Sequence, residues 1–157
     1  MPERQWSFPR AFLVAVLGLG ACAPPPDPTS EDVAAIQLAA ATDIIEDIAS
    51  NPGSIEAVCV GYEGDWEDPG LPEIGTAGPR LTYMDACMEL DGRLVARDGG
   101  GQAISVSVGA PELTSDSRAE VGVYTSTGSV DLAVYSCSVR ERDGAWASER
   151  CELEAIS

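Results

Sequence analysis

The chain has no histidine and no lysine, and its only basic side chains are nine arginines set against 26 carboxylates. Each absence removes a class of chemistry. Without histidine or lysine there is no Ser-His-Asp or Cys-His constellation, no Schiff-base lysine and no lysine to hold a phosphate. No glycine-rich phosphate loop runs from a strand into a helix; Gly99-Gly100-Gly101 falls between strands and reads as a turn. Cys-x-x-Cys spacing is also missing, so nothing completes a tetrahedral metal set, and no cofactor is implied. A formal charge of −17 repels nucleic acid and excludes it as a general partner. One enzymatic route survives, a pair of carboxylates acting as general acid and base in a glycan hydrolase. No catalytic motif singles out such a pair, and the chain reads as non-catalytic.

Long apolar runs are scarce as well. Ala11 to Gly20 is a run of ten uncharged, mostly apolar residues, preceded by Arg4 and Arg10 with Glu3 as the one opposing charge. A membrane helix needs ~20 apolar residues and a signal-peptide core ~7 to 15, so the run has the length of a signal peptide. It ends on Leu19-Gly20-Ala21-Cys22, which resembles the lipobox of bacterial lipoproteins: an aliphatic residue, two small residues and a cysteine. The resemblance implies removal of residues 1–21 and a diacylglyceryl group on Cys22, so that the membrane is a partner through a lipid anchor. Ala23, where an Asp would stand in an alternative sorting signal, favours the periplasmic face of the outer membrane in the pattern known for many such lipoproteins. Two rival readings stand beside it. A secretory cut after Ala21-Cys22-Ala23 would put Pro24 just past the scissile bond, where its fixed φ and missing N–H suit an extended protease subsite poorly. A buried core helix is opposed by the flanking charges and the prolines that follow.

Cleavage removes Arg4, Arg10 and Glu3 and takes the formal charge from −17 to −18. That balance keeps a domain soluble near an anionic bilayer, and it also attracts a basic protein. Residues 22–30 form the acylated cysteine and a tether with Pro24, Pro25, Pro26 and Pro28, stiffened toward polyproline II and reaching ~20 Å. Residues 31–157 have the length of a single domain.

A helix opens that domain. Thr29 or Ser30 can cap it, Glu31 and Asp32 suit the positive end of its macrodipole, and Asn51-Pro52-Gly53 stops it. Val33, Ala40, Ala41, Ile44, Ile45 and Ile48 gather on one side, with Leu38 at the margin and Thr42, Asp43 and Glu46 opposite. Ile36 falls off this stripe and Gln37 on it. Ile55 to Tyr62 then reads as a strand, and Glu63 to Thr82, rich in proline and glycine, as a long loop carrying Asp65, Trp66, Glu67 and Asp68. Loops longer than ~12 to 15 residues are usually functional or disordered, so these four residues are the candidate interaction site. Their spacing does not match a calcium loop. Tyr83 to Leu90 is ambiguous between a helical turn and a strand. Strands follow at Arg93 to Arg97, Gln102 to Val108 and Ala119 to Thr125. Val130 to Arg140 and Ala145 to Ile156 form a hairpin across Asp143-Gly144.

With Cys22 committed to lipid, Cys59, Cys87, Cys137 and Cys151 remain, an even set that reads as two disulfides in an exported protein, with three connectivities open. A Cys59 to Cys87 bond would tie the long loop at its base. A three-residue turn at Asp143 to Ala145 sets Cys137 opposite Cys151, whereas a two-residue turn sets Cys137 opposite Arg150. Tyr135 and Trp146 would be near neighbours around that hairpin, as packing anchors.

The element order describes an α+β domain, one N-terminal amphipathic helix packed on an antiparallel sheet of five or six strands. In that order it resembles the cystatin-like and NTF2-like folds, a resemblance that brings no catalytic residue with it. Four functions are compatible: a lipid-anchored envelope module that binds another macromolecule, an acidic inhibitor or immunity protein for a basic enzyme, the glycan hydrolase, and a small-molecule binding protein, favoured if the concave face of the sheet leaves an unfilled apolar pocket.

Overall fold

The computed structural model describes residues 27–157 except 66, 76 and 77. The segment expected to be a signal peptide, Cys22 with its expected lipidation, most of the expected tether and Trp66 therefore lie outside the described residues. Among the described residues no helix is long and apolar enough to cross a membrane.

Helix α1 spans Ser30–Ser50, and Thr29 is its cap. The Thr29 hydroxyl accepts the Asp32 N–H at 3.1 Å, and the Asp32 carboxylate accepts the Thr29 N–H at 3.3 Å, so two otherwise orphaned donors are satisfied reciprocally. The helix ends at Asn51, ahead of Pro52. Its buried side chains are Val33, Ile36, Gln37, Ala40, Ala41, Ile44 and Ile45, each with a neighbour on the stripe three or four residues away. Ile36 thus belongs to the stripe, contrary to the sequence reading: it lies three residues after Val33 and four before Ala40. Gln37 is buried on the stripe because its Nε2 donates to two backbone carbonyls, Glu63 O and Gly109 O, each at 3.0 Å.

Among the described residues nine strands follow: β1 Ala57–Tyr62, β2 Arg80–Tyr83, β3 Cys87–Leu90, β4 Arg93–Ala96, β5 Ala103–Val108, β6 Glu112–Ser115, β7 Arg118–Ser126, β8 Ala133–Arg142 and β9 Ala145–Ile156. Seven form one sheet in the order β2-β1-β5-β7-β8-β9, with β6 beside the first half of β7, while β3 and β4 make a separate hairpin. The α+β class stands, but the sheet is mixed. Strand β1 runs parallel to both β2 and β5. Parallel neighbours need crossover connections, and the long segment after β1 supplies the first while the β2 to β4 excursion supplies the second. The ambiguous segment 83–90 resolves into a 3₁₀ turn, Met84–Ala86, leading into β3.

Strand β1 is covered on both faces, which explains its unbroken apolar run. Val58 and Val60 join the core under α1, while Ala57 and Cys59 join a second small core with Cys87, Ala96 and Ala103 beneath the β3–β4 hairpin. The Cys59–Cys87 disulfide fastens that hairpin to the sheet. Strands β7 and β8 are covered on one face only. Ala119, Val121, Val123, Cys137 and Val139 turn inward to the helix, and the residues between them turn out.

The β8–β9 hairpin turns on two residues. Asp143 and Gly144 have φ of 55° and 80°, the pair of positive angles a tight primed turn requires. That turn alone would set Cys137 against Arg150. The register shifts between Ser138 and Val139, with Glu149 as the extra residue on β9, and this bulge brings Cys137 opposite Cys151, where they are bonded. The expected bond is present, and a bulge rather than a longer turn produces it. Tyr135 pairs with Leu153 and Trp146 with Glu141. These rungs lie six residues apart on β8, roughly 20 Å along the strand, so the two aromatics are not neighbours.

Candidate interaction surface

Two carboxylates on α1 reach across to β9 and seat the helix on the sheet. Asp32 Oδ1 accepts the Trp146 indole N–H at 3.2 Å, and Asp43 Oδ2 accepts the Ser148 hydroxyl at 3.1 Å. Trp146 and Ser148 alternate on the same face of β9, and Asp32 and Asp43 lie three helical turns apart, so the two bonds hold the helix at two points. The Thr29 hydroxyl first and the Trp146 indole second hold the Asp32 carboxyl below the ordinary aspartate range.

Between these contacts the helix and the hairpin leave an open groove of about 570 Å³. Its apolar lining is Ala35, Leu38, Ala39, Ala145, Trp146 and Ala147, and its charges are Glu31, Asp32, Asp43, Glu46 and Glu141. Across the ridge formed by Glu31, Ala35 and Leu38 lies a second depression, closed on its far side by Glu67, Asp68 and Pro69 of the acidic loop. Among the described residues no arginine lines either depression.

The loop itself is held in place. The Tyr62 hydroxyl donates to the Gly70 carbonyl at 2.9 Å, and Asp68 Oδ1 accepts the Gly70 N–H at 2.9 Å. Leu71 and Ile74 pack on the main core. Burial first, and then the charge of Asp68, raise the pKa of Tyr62; desolvation and Asp68 act the same way on Tyr83.

The structure brings Glu67 and Asp68 beside the helix. Asp65 is exposed and lines neither depression. Trp66 falls outside the described residues. The four disulfide cysteines sit behind the surface, in the cores. Among the described residues no group of three metal-ligating side chains is placed to hold an ion. The residues that sequence reasoning missed are Glu31, Asp32, Asp43, Glu46 and Glu141. The usable signal was Asp-Gly-Ala-Trp at a hairpin turn, which puts a tryptophan near a sheet end that a helix has to cover.

The arginines collect elsewhere. Arg140, Arg142 and Arg150 stand on the outward face of β8 and β9, where Arg142 bonds Glu149 at 2.6 Å, Arg140 lies 3.6 Å from the same carboxylate and Arg150 meets Glu152 at 3.3 Å. On the same face, the Ser138 hydroxyl donates to Glu120 at 2.7 Å. The Arg142 bond holds the Glu149 carboxyl below its ordinary range. Arg80 pairs with Asp98, and Arg97 Nε donates to the Cys87 carbonyl at 3.2 Å.

Comparison of the chain with protein families, curated proteins and solved structures finds no match. The two disulfides are the mark of a domain that folds in an oxidising, extracytoplasmic compartment.

Proposed function

We propose that the protein is a non-catalytic binding module of the bacterial cell envelope, lipid-anchored through Cys22, that holds a basic protein against the helix side of its domain. The observation that carries this reading is the continuous surface from the Trp146 groove over α1 to Glu67 and Asp68, lined by carboxylates and by no arginine among the described residues. Partly exposed Leu38 and Trp146 supply apolar contact within that rim. A one-signed rim around an apolar floor steers a partner of opposite charge and selects against acidic ones. An inhibitor or immunity protein for a basic enzyme is the sharper form of the same reading.

The test is capture from envelope extract on the protein purified in mild detergent with its disulfides closed. A stoichiometric basic protein should be retained at low salt and released at high salt. It should fail to bind the double variant Glu31→Arg, Glu141→Arg. Absence of any basic partner at low salt contradicts the proposal.

A further inference from the structure

Strand β9 stands last in the sheet, and among the described residues no strand pairs with its far side. Its twelve residues make it about twice the length of an ordinary strand, and it contains no proline. Leu153 and Ile156 on it are 50 % and 73 % exposed. Such an edge is a template for another strand unless its own sequence opposes one. Pairing with β8 assigns each side chain of β9 to a face. Arg150, Glu152 and Ala155 stand opposite Ser138, Ser136 and Val134 and turn outward with Ala147. Trp146, Ser148, Cys151, Leu153 and Ile156 turn inward. The two register shifts leave Glu149 and Glu154 as extra residues.

This pattern is self-complementary about Cys151. With Cys151 set against Cys151 of a second copy, antiparallel order opposes Arg150 to Glu152 twice over, Ala147 to Ala155 and Trp146 to Ile156, each pair on one face. Ser148 and the extra Glu149 then meet Leu153 and the extra Glu154, so one bulge offsets the other and the faces stay matched beyond it. Centring the pair on Arg150 or on Glu152 would instead oppose that charge to its own copy. We propose that two copies of the chain pair antiparallel along β9, about a two-fold axis at Cys151. Charge complementarity names the occupant, because the two Arg150–Glu152 contacts follow from setting this strand against itself in reverse. Within one copy Arg150 and Glu152 lie 3.3 Å apart and both are exposed, so exchanging that contact for the cross-strand ones costs little. Glu149 enters the seam already bonded to Arg142. A two-fold contact of this kind closes on itself and leaves no edge of β9 open to further copies. The inference does not rest on the basic partner, since the protein alone displays it.

The experiment uses the full chain in mild detergent with its disulfides closed, at about 0.15 M salt, which screens the repulsion between two chains of charge −17. Isotope-labelled and unlabelled protein are mixed, and filtered NMR is read for contact between the Trp146 indole of one copy and the Ile156 methyls of the other. Within one chain the two residues stand at opposite ends of β9, about 33 Å apart, so contact between them is intermolecular. Sedimentation should show a dimer that Arg150→Glu or Glu152→Arg weakens by about tenfold or more. The swap Arg150→Glu, Glu152→Arg should restore it at unchanged net charge. Both positions are exposed, so the single variants keep the fold. Two copies gathered merely in one micelle would be indifferent to these charges. A dimer that withstands Arg150→Glu, a swap that fails to restore it, absence of the Trp146–Ile156 contact, or monomer alone up to about 1 mM would overturn the proposal.

Discussion

The two sides of the β7–β8–β9 region carry charge in opposite manners. On the outward face, Glu149 and Glu152 are matched by Arg140, Arg142 and Arg150, and Glu120 is bonded to Ser138. On the helix side, Glu31, Asp32, Asp43, Glu46 and Glu141 surround a tryptophan-floored groove with no arginine among the described lining residues. A net charge of −17 says nothing of this division. Strand alternation produces it: the outward residues of β8 are Ser138, Arg140 and Arg142, and the inward ones are Cys137, Val139 and Glu141. One face is therefore close to locally neutral, and the other can attract a cation.

The comparison is broken most severely by removing what both faces share. Cys137 and Cys151 fix the hairpin that carries the arginines on one side and Trp146 on the other. The double variant Cys137→Ala, Cys151→Ala should lose about 3 kcal/mol of stability, the chain-entropy value for a ring of that size, measured by urea unfolding without reductant. A loss below about 1 kcal/mol would show that the bulge at Glu149 is held by other contacts.

A smaller change acts on the helix side alone. Trp146→Phe keeps the groove floor and removes the indole donor to Asp32, and should cost about 1 kcal/mol at neutral pH. The folded-state pKa of Asp32 is lowered. Its contribution is therefore complete above the unfolded value, near about 4, and is lost as pH falls through the lower folded value. The difference between wild type and Trp146→Phe should narrow over that acid range, followed by thermal unfolding at stepped pH. A difference that is constant with pH would assign the effect to packing instead.

The smallest effect belongs to the outward face. Arg150→Ser should change stability by no more than about 0.5 kcal/mol, because its ion pair with Glu152 is solvent-exposed on both sides. A larger loss would mean that the outward face is knit together more tightly than its exposure allows.

Much of the framework is legible in local sequence, because caps, stops and alternation act over a few residues. Thr29 with Asp32 begins the helix, Asn51-Pro52 ends it, and Ile104, Val106 and Val108 turn to the core as their spacing demands. Parallel pairing of β1 is not legible, since alternation reports which face a residue takes and not which strand lies beside it. The bulge at Glu149 escapes for a related reason: either hairpin register suits the turn, and the cysteines choose between them. The site was half visible. Glu67 and Asp68 stand in an acidic run that composition exposes, whereas the groove is assembled from residues 31–46 and 141–148, about a hundred positions apart. Only the fold brings Glu31 and Glu141 to one rim.

The most direct test of the asymmetry is a pair of charge reversals compared in one binding measurement. Wild type, the helix-side variant Glu31→Arg, Glu141→Arg and the outward variant Glu120→Arg, Glu152→Arg are titrated with the captured basic protein at low salt. The two variants have the same net charge. The account predicts that the helix-side variant binds at least about tenfold more weakly, while the outward variant stays within about twofold of wild type. Equal weakening by both variants would show that net charge alone attracts the partner, and would contradict the assignment of the helix side as the binding surface.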